Sequence, residues 1–240
     1  MMDTTNTTPM AEEHAEIRQA FGEQLHLIHQ GLVQMASLVL ENAKRAGEAV
    51  LDNRVDLVPE VERVDAEIDA LYLKLEHQVF DVLARQQPVA KDLRFLVSAT
   101  RILYELERSG DLAVNCTKAM MRVDGFSVSP PLEATLGRLI DESTALFGRG
   151  VVALDDMDAT AGFRLDEEDD VVDDICSRFY QDLARESSST GLPSAIELSR
   201  VARFFERIAD HAVNMAEGVA YTVTAHWPKS VDPTVEQRNE

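Results

Sequence analysis

Acidic and amide side chains recur at four-residue spacing in two segments of the chain. The two sets, each made of Glu, Asp and Asn, are Glu107, Asp111 and Asn115, and Glu206, Asp210 and Asn214. Residues four apart lie on one face of an α-helix, so each set would form a ladder of oxygen ligands. Such ligands suit hard divalent or trivalent cations, Mg, Mn or Fe, better than copper or zinc, although zinc stays an option. Each ladder is therefore a candidate metal site.

Two pairs of aspartates extend this pattern into other parts of the chain. They lie in the related segments that begin at residues 65 and 169, and the aligned acids are Asp65, Asp69, Asp169 and Asp173. On a helix these acids share a face with apolar residues, as Glu107 does with Leu103 and Val114. A buried carboxylate without a partner is costly, so a cation, a basic residue or protonation must offset its charge. We predict two metal sites, one in each half of the chain, and the several carboxylates of each site could bridge more than one ion.

Long helices must position these residues. Only 11 Gly and 8 Pro interrupt the 240 residues, and between them apolar residues recur three and four apart. The predicted helices span residues 11–50, 59–85, 89–124, 132–154, 159–190 and 193–224. The third and sixth carry matching Glu-Arg-x-x-Asp motifs, which start at Glu107 and Glu206. We therefore predict an all-α fold with two tandem antiparallel three-helix bundles that arose by internal duplication.

The predicted domain boundaries follow from these helices and from the Pro-Pro pair between the two groups of three. They are a disordered N-terminal tail at 1–10, a first repeat at 11–125, a linker at 126–131, a second repeat at 132–225 and a C-terminal tail at 226–240.

The net charge of −20 argues against several classes of partner. Binding to nucleic acid or to anionic lipid depends on Lys and Arg, so neither partner is expected. The N-terminal residues lack the basic start and apolar stretch of a secretory signal, and no apolar run is long enough to cross a membrane. We expect a cytoplasmic protein whose two cysteines, Cys116 and Cys176, are buried free thiols.

Other interpretations of the acids stay open. Acid ladders on helices are usually solvated faces, and Arg203 could pair locally with Glu206 or Asp210. A metal-free helical adaptor is a second class. A di-iron oxidase or ferritin-like protein is a third, but Glu23 and His26 form the one obvious Glu-x-x-His. Because nucleotide-binding and nucleophile motifs are missing as well, we do not expect an enzyme.

The segment from Arg85 to Arg94 and the duplicated Glu-Arg-x-x-Asp motif resemble the PhoU proteins of bacterial phosphate signalling, over roughly residues 17–222. The resemblance implies two tandem three-helix bundles and multinuclear metal clusters. It assigns Asp65, Asp69, Glu107, Asp111 and Asn115 to one cluster, and Asp169, Asp173, Glu206, Asp210 and Asn214 to the other. It also implies a regulator that contacts the phosphate ABC transporter ATPase and a sensor histidine kinase, and we expect a homodimer.

One residue departs from the PhoU pattern. The family commonly has glycine before the last acid of each motif, as at Gly110, but the second motif has Ala209. This difference could restrict close helix approach in the second repeat. A bound cation with an open coordination position could also bind phosphate or a partner's carboxylate, which is our hypothesis for the role of the metal. Alternatively, the acidic faces could dock directly onto basic surfaces of a kinase or ATPase.

Overall fold

The structure is a computed structural model that describes residues 8–227, with side chains for residues 18–186 and 189–227. Six helices account for nearly all of this range. They are α1 (Thr8–Leu51), α2 (Val58–Gln86), α3 (Ala90–Met121), α4 (Pro130–Asp156), α5 (Ala161–Thr190) and α6 (Leu192–Thr224), with a short 3-10 turn at Val55–Leu57 before α2. Residues 8–227 contain no strand, which confirms the all-α prediction.

Proline and its neighbours determine several helix ends. Pro59 and Pro193 lie in the first turns of α2 and α6, where their missing N–H groups need no acceptor. The helix α4 begins at Pro130, inside the segment predicted as the linker. The hydroxyl of Ser129 accepts a hydrogen bond from the Leu132 N–H at 3.4 Å, which caps this helix. The Pro-Pro pair thus starts a helix as well as separating the repeats.

The other helix ends differ from the predicted ones by a few residues. Helix α1 begins at residue 8 instead of 11, and α3 ends at Met121 instead of 124. The end of α3 is followed by Asp124 and Gly125, both with positive φ, so the chain leaves the helical conformation earlier than the proline pair requires. The predicted tails fall mostly on residues 1–7 and 228–240, which lie outside the described residues.

Helices α1, α2 and α3 pack into one bundle, and α4, α5 and α6 pack into the other. The bundles join through contacts of α1 with α4 and of α3 with α6. Arg122, just after α3, donates to Glu197 near the start of α6 at 2.6 Å, while Arg94 near the start of α3 donates to the Thr222 carbonyl at 3.4 Å. Helices α3 and α6 are therefore antiparallel, and the two motif-bearing helices lie side by side in the centre of the molecule.

Within residues 8–227, no helix is both long enough and apolar enough to cross a bilayer. Both cysteines are buried free thiols, as predicted, and burial raises the pKa of each thiol above its ordinary value.

Candidate functional site

In the first repeat, an aspartate from α2 points at the helix α3 where α3 has no side chain. A Cβ atom on Gly110 would lie 2.9 Å from Oδ1 of Asp65, which is closer than such atoms normally pack. Oδ1 of Asp65 is buried and has no hydrogen-bond partner. A buried carboxylate oxygen without a donor is unfavourable, so this atom is the strongest indication that the first repeat could bind a cation.

Other acids surround Asp65. Burial, followed by the negative charges of Asp69, Asp111 and Glu107, raises the pKa of Asp65 to about 6, although the ammonium group of Lys118 lowers it. The pKa of Glu107 is also raised, first by burial and then by Asp111 and Asp69. The structure thus brings all four predicted acids of this repeat into one electrostatic cluster between α2 and α3.

The cluster opens towards solvent. Asp69 and Asp111 are exposed, whereas Asp65, Glu107 and Asn115 are half-buried. The sequence pattern predicts an inward face for all four acids, but only Asp65 and Glu107 are half-buried there. Repulsion between like charges and the cost of desolvation both favour outward positions for the remaining carboxylates.

The second repeat places an equivalent acid at the equivalent point. Burial is the largest of the causes that together raise the pKa of Asp169 to about 7, and the others are the negative charges of Asp210, Asp173, Asp166 and Glu206. Like Asp65, Asp169 has a buried Oδ1 without a hydrogen-bond partner. Each repeat therefore contains one buried, unpaired aspartate oxygen among several other carboxylates.

Two predicted residues of the second repeat have protein partners. Glu206 forms an ion pair with Arg203, one of the pairings considered above. Asn214 interacts with Glu105 of α3 and lowers the pKa of that carboxyl group. Asp173 is exposed, and Asp210 is half-buried. The second cluster is therefore more strongly connected to neighbouring side chains than the first.

The donor atoms of both clusters fit a hard cation, because nearly all of them are carboxylate oxygens and the Oδ1 atoms of Asp65 and Asp169 are among those buried without hydrogen bonds. In the part of the chain that the structure describes, no three His, Cys, Asp or Glu side chains are grouped so that they could hold a metal ion as they stand. The carboxylates would have to rotate towards a common point to ligate one ion.

A cavity of about 410 Å³ lies beside the second cluster, between α3 and α6. We call it the inter-repeat pocket, and its walls are formed by Tyr104, Glu105, Arg108, Asp169, Arg207, Asp210, His211, Val213 and Asn214. Three predicted metal ligands, two arginines and a buried histidine thus line the same space.

The histidine of this pocket, His211, is directed at α3 and away from its own acid cluster. Its Nδ1 lies 2.9 Å from Oγ of Ser109, and its Nε2 lies 3.5 Å from Oε2 of Glu105. Burial lowers the pKa of His211 to about 4, with smaller contributions from Arg207 and Arg108, so the ring is neutral at pH 7. Because His211 follows Asp210 directly on α6, the two side chains point in different directions, and His211 is a poor co-ligand for Asp210.

Comparison with known proteins agrees with the duplication. The family model described as PhoU domain matches the chain twice, at residues 32–120 and 136–219. The chain belongs to the PhoU family. It is 32% identical over 208 residues to the phosphate-specific transport system accessory protein PhoU homolog of Synechocystis sp., covering 86% of this chain and 92% of that protein. A homolog with the same description from Deinococcus radiodurans is 31% identical over 214 residues, 87% and 98% of the two chains.

A solved PhoU structure has the same fold. The crystal structure of PhoU from Pseudomonas aeruginosa superimposes with a TM-score of 0.80 at 25% identity, and the match covers 86% of this chain and 100% of that one. The two matched PhoU domains coincide with the two bundles, since each match lies within one group of three helices. The family and the fold proposed from the sequence are both confirmed.

Sequence reasoning missed the inter-repeat pocket of this PhoU chain. The signal was available in the alignment of the repeats, where Glu105 corresponds to Phe204 and His211 corresponds to Leu112. A polar residue in one repeat where the other has an apolar one marks a place where the duplicated helices have diverged. Periodicity alone did not reveal that both positions meet across α3 and α6.

Proposed function

We propose that this PhoU protein is a negative regulator of phosphate uptake and of phosphate-starvation signalling. Membership of the PhoU family supports this role, as do relatives described as accessory proteins of the phosphate-specific transport system. The protein would act in the cytoplasm, as a homodimer, by contact with the ATPase of the phosphate ABC transporter and with the sensor histidine kinase. Its 43 acidic side chains against 23 basic ones suit docking to basic surfaces of such partners.

We further propose that the working protein carries hard metal ions. The observation that supports this is the pair of buried and unpaired oxygens, Oδ1 of Asp65 and Oδ1 of Asp169, at equivalent places in the two repeats. The same atom of the same residue type is unpaired at the equivalent position of both repeats, although most buried polar atoms in proteins have a partner. A cation at each place would remove both penalties in the same way.

The residues that would hold the ions form two sets with a common design. In each set the middle helix of the repeat provides two aspartates and the third helix provides Glu, Asp and Asn. The sets are Asp65, Asp69, Glu107, Asp111 and Asn115, and Asp169, Asp173, Glu206, Asp210 and Asn214. The bound cations would supply positive charge and open coordination positions, which a chain of net charge −20 lacks.

Elemental analysis tests the metal assignment directly. The double variant Asp65→Asn with Asp169→Asn should retain much less metal after gentle purification than the wild type, because both inner ligands lose their charge. The matched control is Glu62→Gln with Asp170→Asn, which removes the same charge from exposed positions of α2 and α5. Equal metal content in all three proteins would refute the site assignment.

A metal-free adaptor is the second candidate, and one observation favours it. The described side chains include no ready group of three ligands. If this candidate is right, chelation should leave binding to the kinase and to the ATPase unchanged. If the metal-loaded regulator is right, chelation should weaken that binding. The di-iron alternative is not supported, since Glu23 and His26 are both exposed on α1.

A further inference from the structure

The inter-repeat pocket contains one arginine from each repeat. Arg108 and Arg207 follow Glu107 and Glu206 directly, so they occupy the same position in the duplicated motif. Because α3 and α6 lie side by side and antiparallel, both arginines contribute to the wall of a single cavity. The duplication has therefore placed two guanidinium groups around one space, which neither repeat could do alone.

Both guanidinium groups interact with other side chains of the pocket. Arg108 lies over the ring of Tyr104, with its guanidinium carbon 5.3 Å from the ring centroid, and its Nη1 donates to the Tyr104 hydroxyl at 2.9 Å. Both arginines also act electrostatically on Glu105, whose pKa they lower. Guanidinium groups present planar forks of N–H donors that match the oxygens of phosphate.

The pocket also contains acids, and they determine when an anion could enter. Asp169 and Asp210 belong to the second candidate metal cluster and line the same cavity, together with Glu105. Without a cation these carboxylates offset the two arginines, and an anion would be repelled. With a cation held by Asp169 and Asp210 the same space becomes positive overall, because the ion cancels the aspartate charges.

We propose that the inter-repeat pocket binds inorganic phosphate, with Arg108 and Arg207 as the clamp on one side and the metal-bearing acids on the other. This inference rests on the metal loading proposed above. Glu105 gives the site a means of selection, since phosphate near neutral pH keeps a proton that a carboxylate can accept. Sulfate has no such proton and would be repelled by the carboxylate of Glu105. The pocket thus distinguishes two anions of similar size and shape.

Calorimetric titration of inorganic phosphate into the metal-loaded full chain tests the clamp. The double variant Arg108→Gln with Arg207→Gln should weaken phosphate binding by at least about tenfold, because two charge-assisted donors are lost. The matched control, Arg138→Gln with Arg178→Gln, removes the same charge from exposed positions of α4 and α5 and should bind phosphate as the wild type does. Unchanged phosphate affinity in the Arg108 and Arg207 variant would overturn the proposal.

Selectivity provides a second readout. Sulfate should bind the wild type much more weakly than phosphate, and Glu105→Gln should narrow that difference because an amide can donate to an unprotonated oxygen. If wild type and Glu105→Gln prefer phosphate to the same degree, the selecting role of Glu105 is wrong.

Metal content, measured in the same samples, separates failure of the pocket from failure of the metal sites. If the protein retains metal but does not bind phosphate, the proposed phosphate clamp is wrong and the metal assignment stands. If metal-free protein binds phosphate and this binding depends on the two arginines, the clamp is supported but the proposed dependence on a cation is wrong. Absence of both metal and phosphate would refute both proposals.

Discussion

The two repeats place the same acids on the same helices but surround them with different neighbours. In the first repeat, Gly110 lets Asp65 approach the backbone of α3, and Glu107 has no ion-pair partner among the described residues. In the second, a fully buried Ala209 replaces that glycine, and Arg203 pairs with the corresponding glutamate. The duplication has thus conserved the inner carboxylate of each site and changed the groups that control its charge.

Charge around the inner acid differs in the same way. Lys118 lowers the pKa of Asp65, whereas the equivalent position of the second repeat holds Glu217. Burial and nearby carboxylates raise the pKa of Asp169 to about 7, compared with about 6 for Asp65. The second site is therefore the one whose charge is harder to accommodate without a cation. It is also the site that borders the inter-repeat pocket.

The largest expected effect on stability comes from truncating a core residue in either repeat, and it tests whether the two repeats unfold independently. Leu106 and Phe205 occupy equivalent, fully buried positions of α3 and α6. Leu106→Ala and Phe205→Ala should each lower the free energy of unfolding by about 3 kcal/mol, as large core truncations do. Since α3 packs on α6, urea unfolding should remain one transition in both variants.

Exposed Leu73, which is 62% accessible, provides the control for this pair, and Leu73→Ala should change stability little. A variant that shifts one of two resolved transitions would show that the repeats unfold independently. The comparison of the sites would then have to treat each bundle as its own domain.

Replacing the inner acids, Asp65 and Asp169, with asparagine in metal-free protein should have a smaller effect on stability. Asp65 and Asp169 have pKa values raised above their ordinary value of 3.8, so the folded state binds protons more tightly than the unfolded chain. Their contribution to stability is therefore greatest at low pH and is lost as the pH rises towards 6 for Asp65 and 7 for Asp169. With allowance for partial exposure, the loss at each site is no more than about 2 kcal/mol.

Asp169→Asn should accordingly flatten the dependence of stability on pH more than Asp65→Asn does, when thermal unfolding is followed from pH 5 to pH 8 with chelator present. Added metal should restore the stability of the wild type at pH 8 and have less effect on either variant. Equal flattening by the two substitutions would mean that Lys118 does not distinguish the sites.

Much of the fold could be predicted from local signals in the sequence. The helices followed from apolar residues three and four apart, and Pro59 and Pro193 marked two of the starts. The pairing of the acid clusters was predictable because the repeat supplied two independent examples of one pattern. A single Asp-x-x-x-Asp motif would not have shown whether its acids are buried or lie on a solvated helix face.

Features that depend on packing between the repeats could not be predicted in this way. Helical periodicity gives the direction of a side chain around its own helix, but not the helix it meets. Asp69 and Asp111 share a face with Asp65 and Glu107 in projection, yet they lie at the solvent edge of the α2 and α3 contact. The meeting of Arg108 with Arg207 depends likewise on the antiparallel contact of α3 and α6.

The smallest expected effect tests whether Lys118 accounts for the difference between the pKa values of Asp65 and Asp169. Lys118→Gln removes the one basic group that lowers the pKa of Asp65, so this pKa should rise towards that of Asp169. Because Lys118 is exposed, the loss of stability at pH 8 should be only a few tenths of a kcal/mol. Carbon-detected NMR titration of the aspartate carboxyl groups would measure the shift, with Lys74→Gln on the exposed face of α2 as the control. If the pKa of Asp65 stays in place, burial and the neighbouring acids alone account for it, and the two repeats differ in geometry but not in local charge.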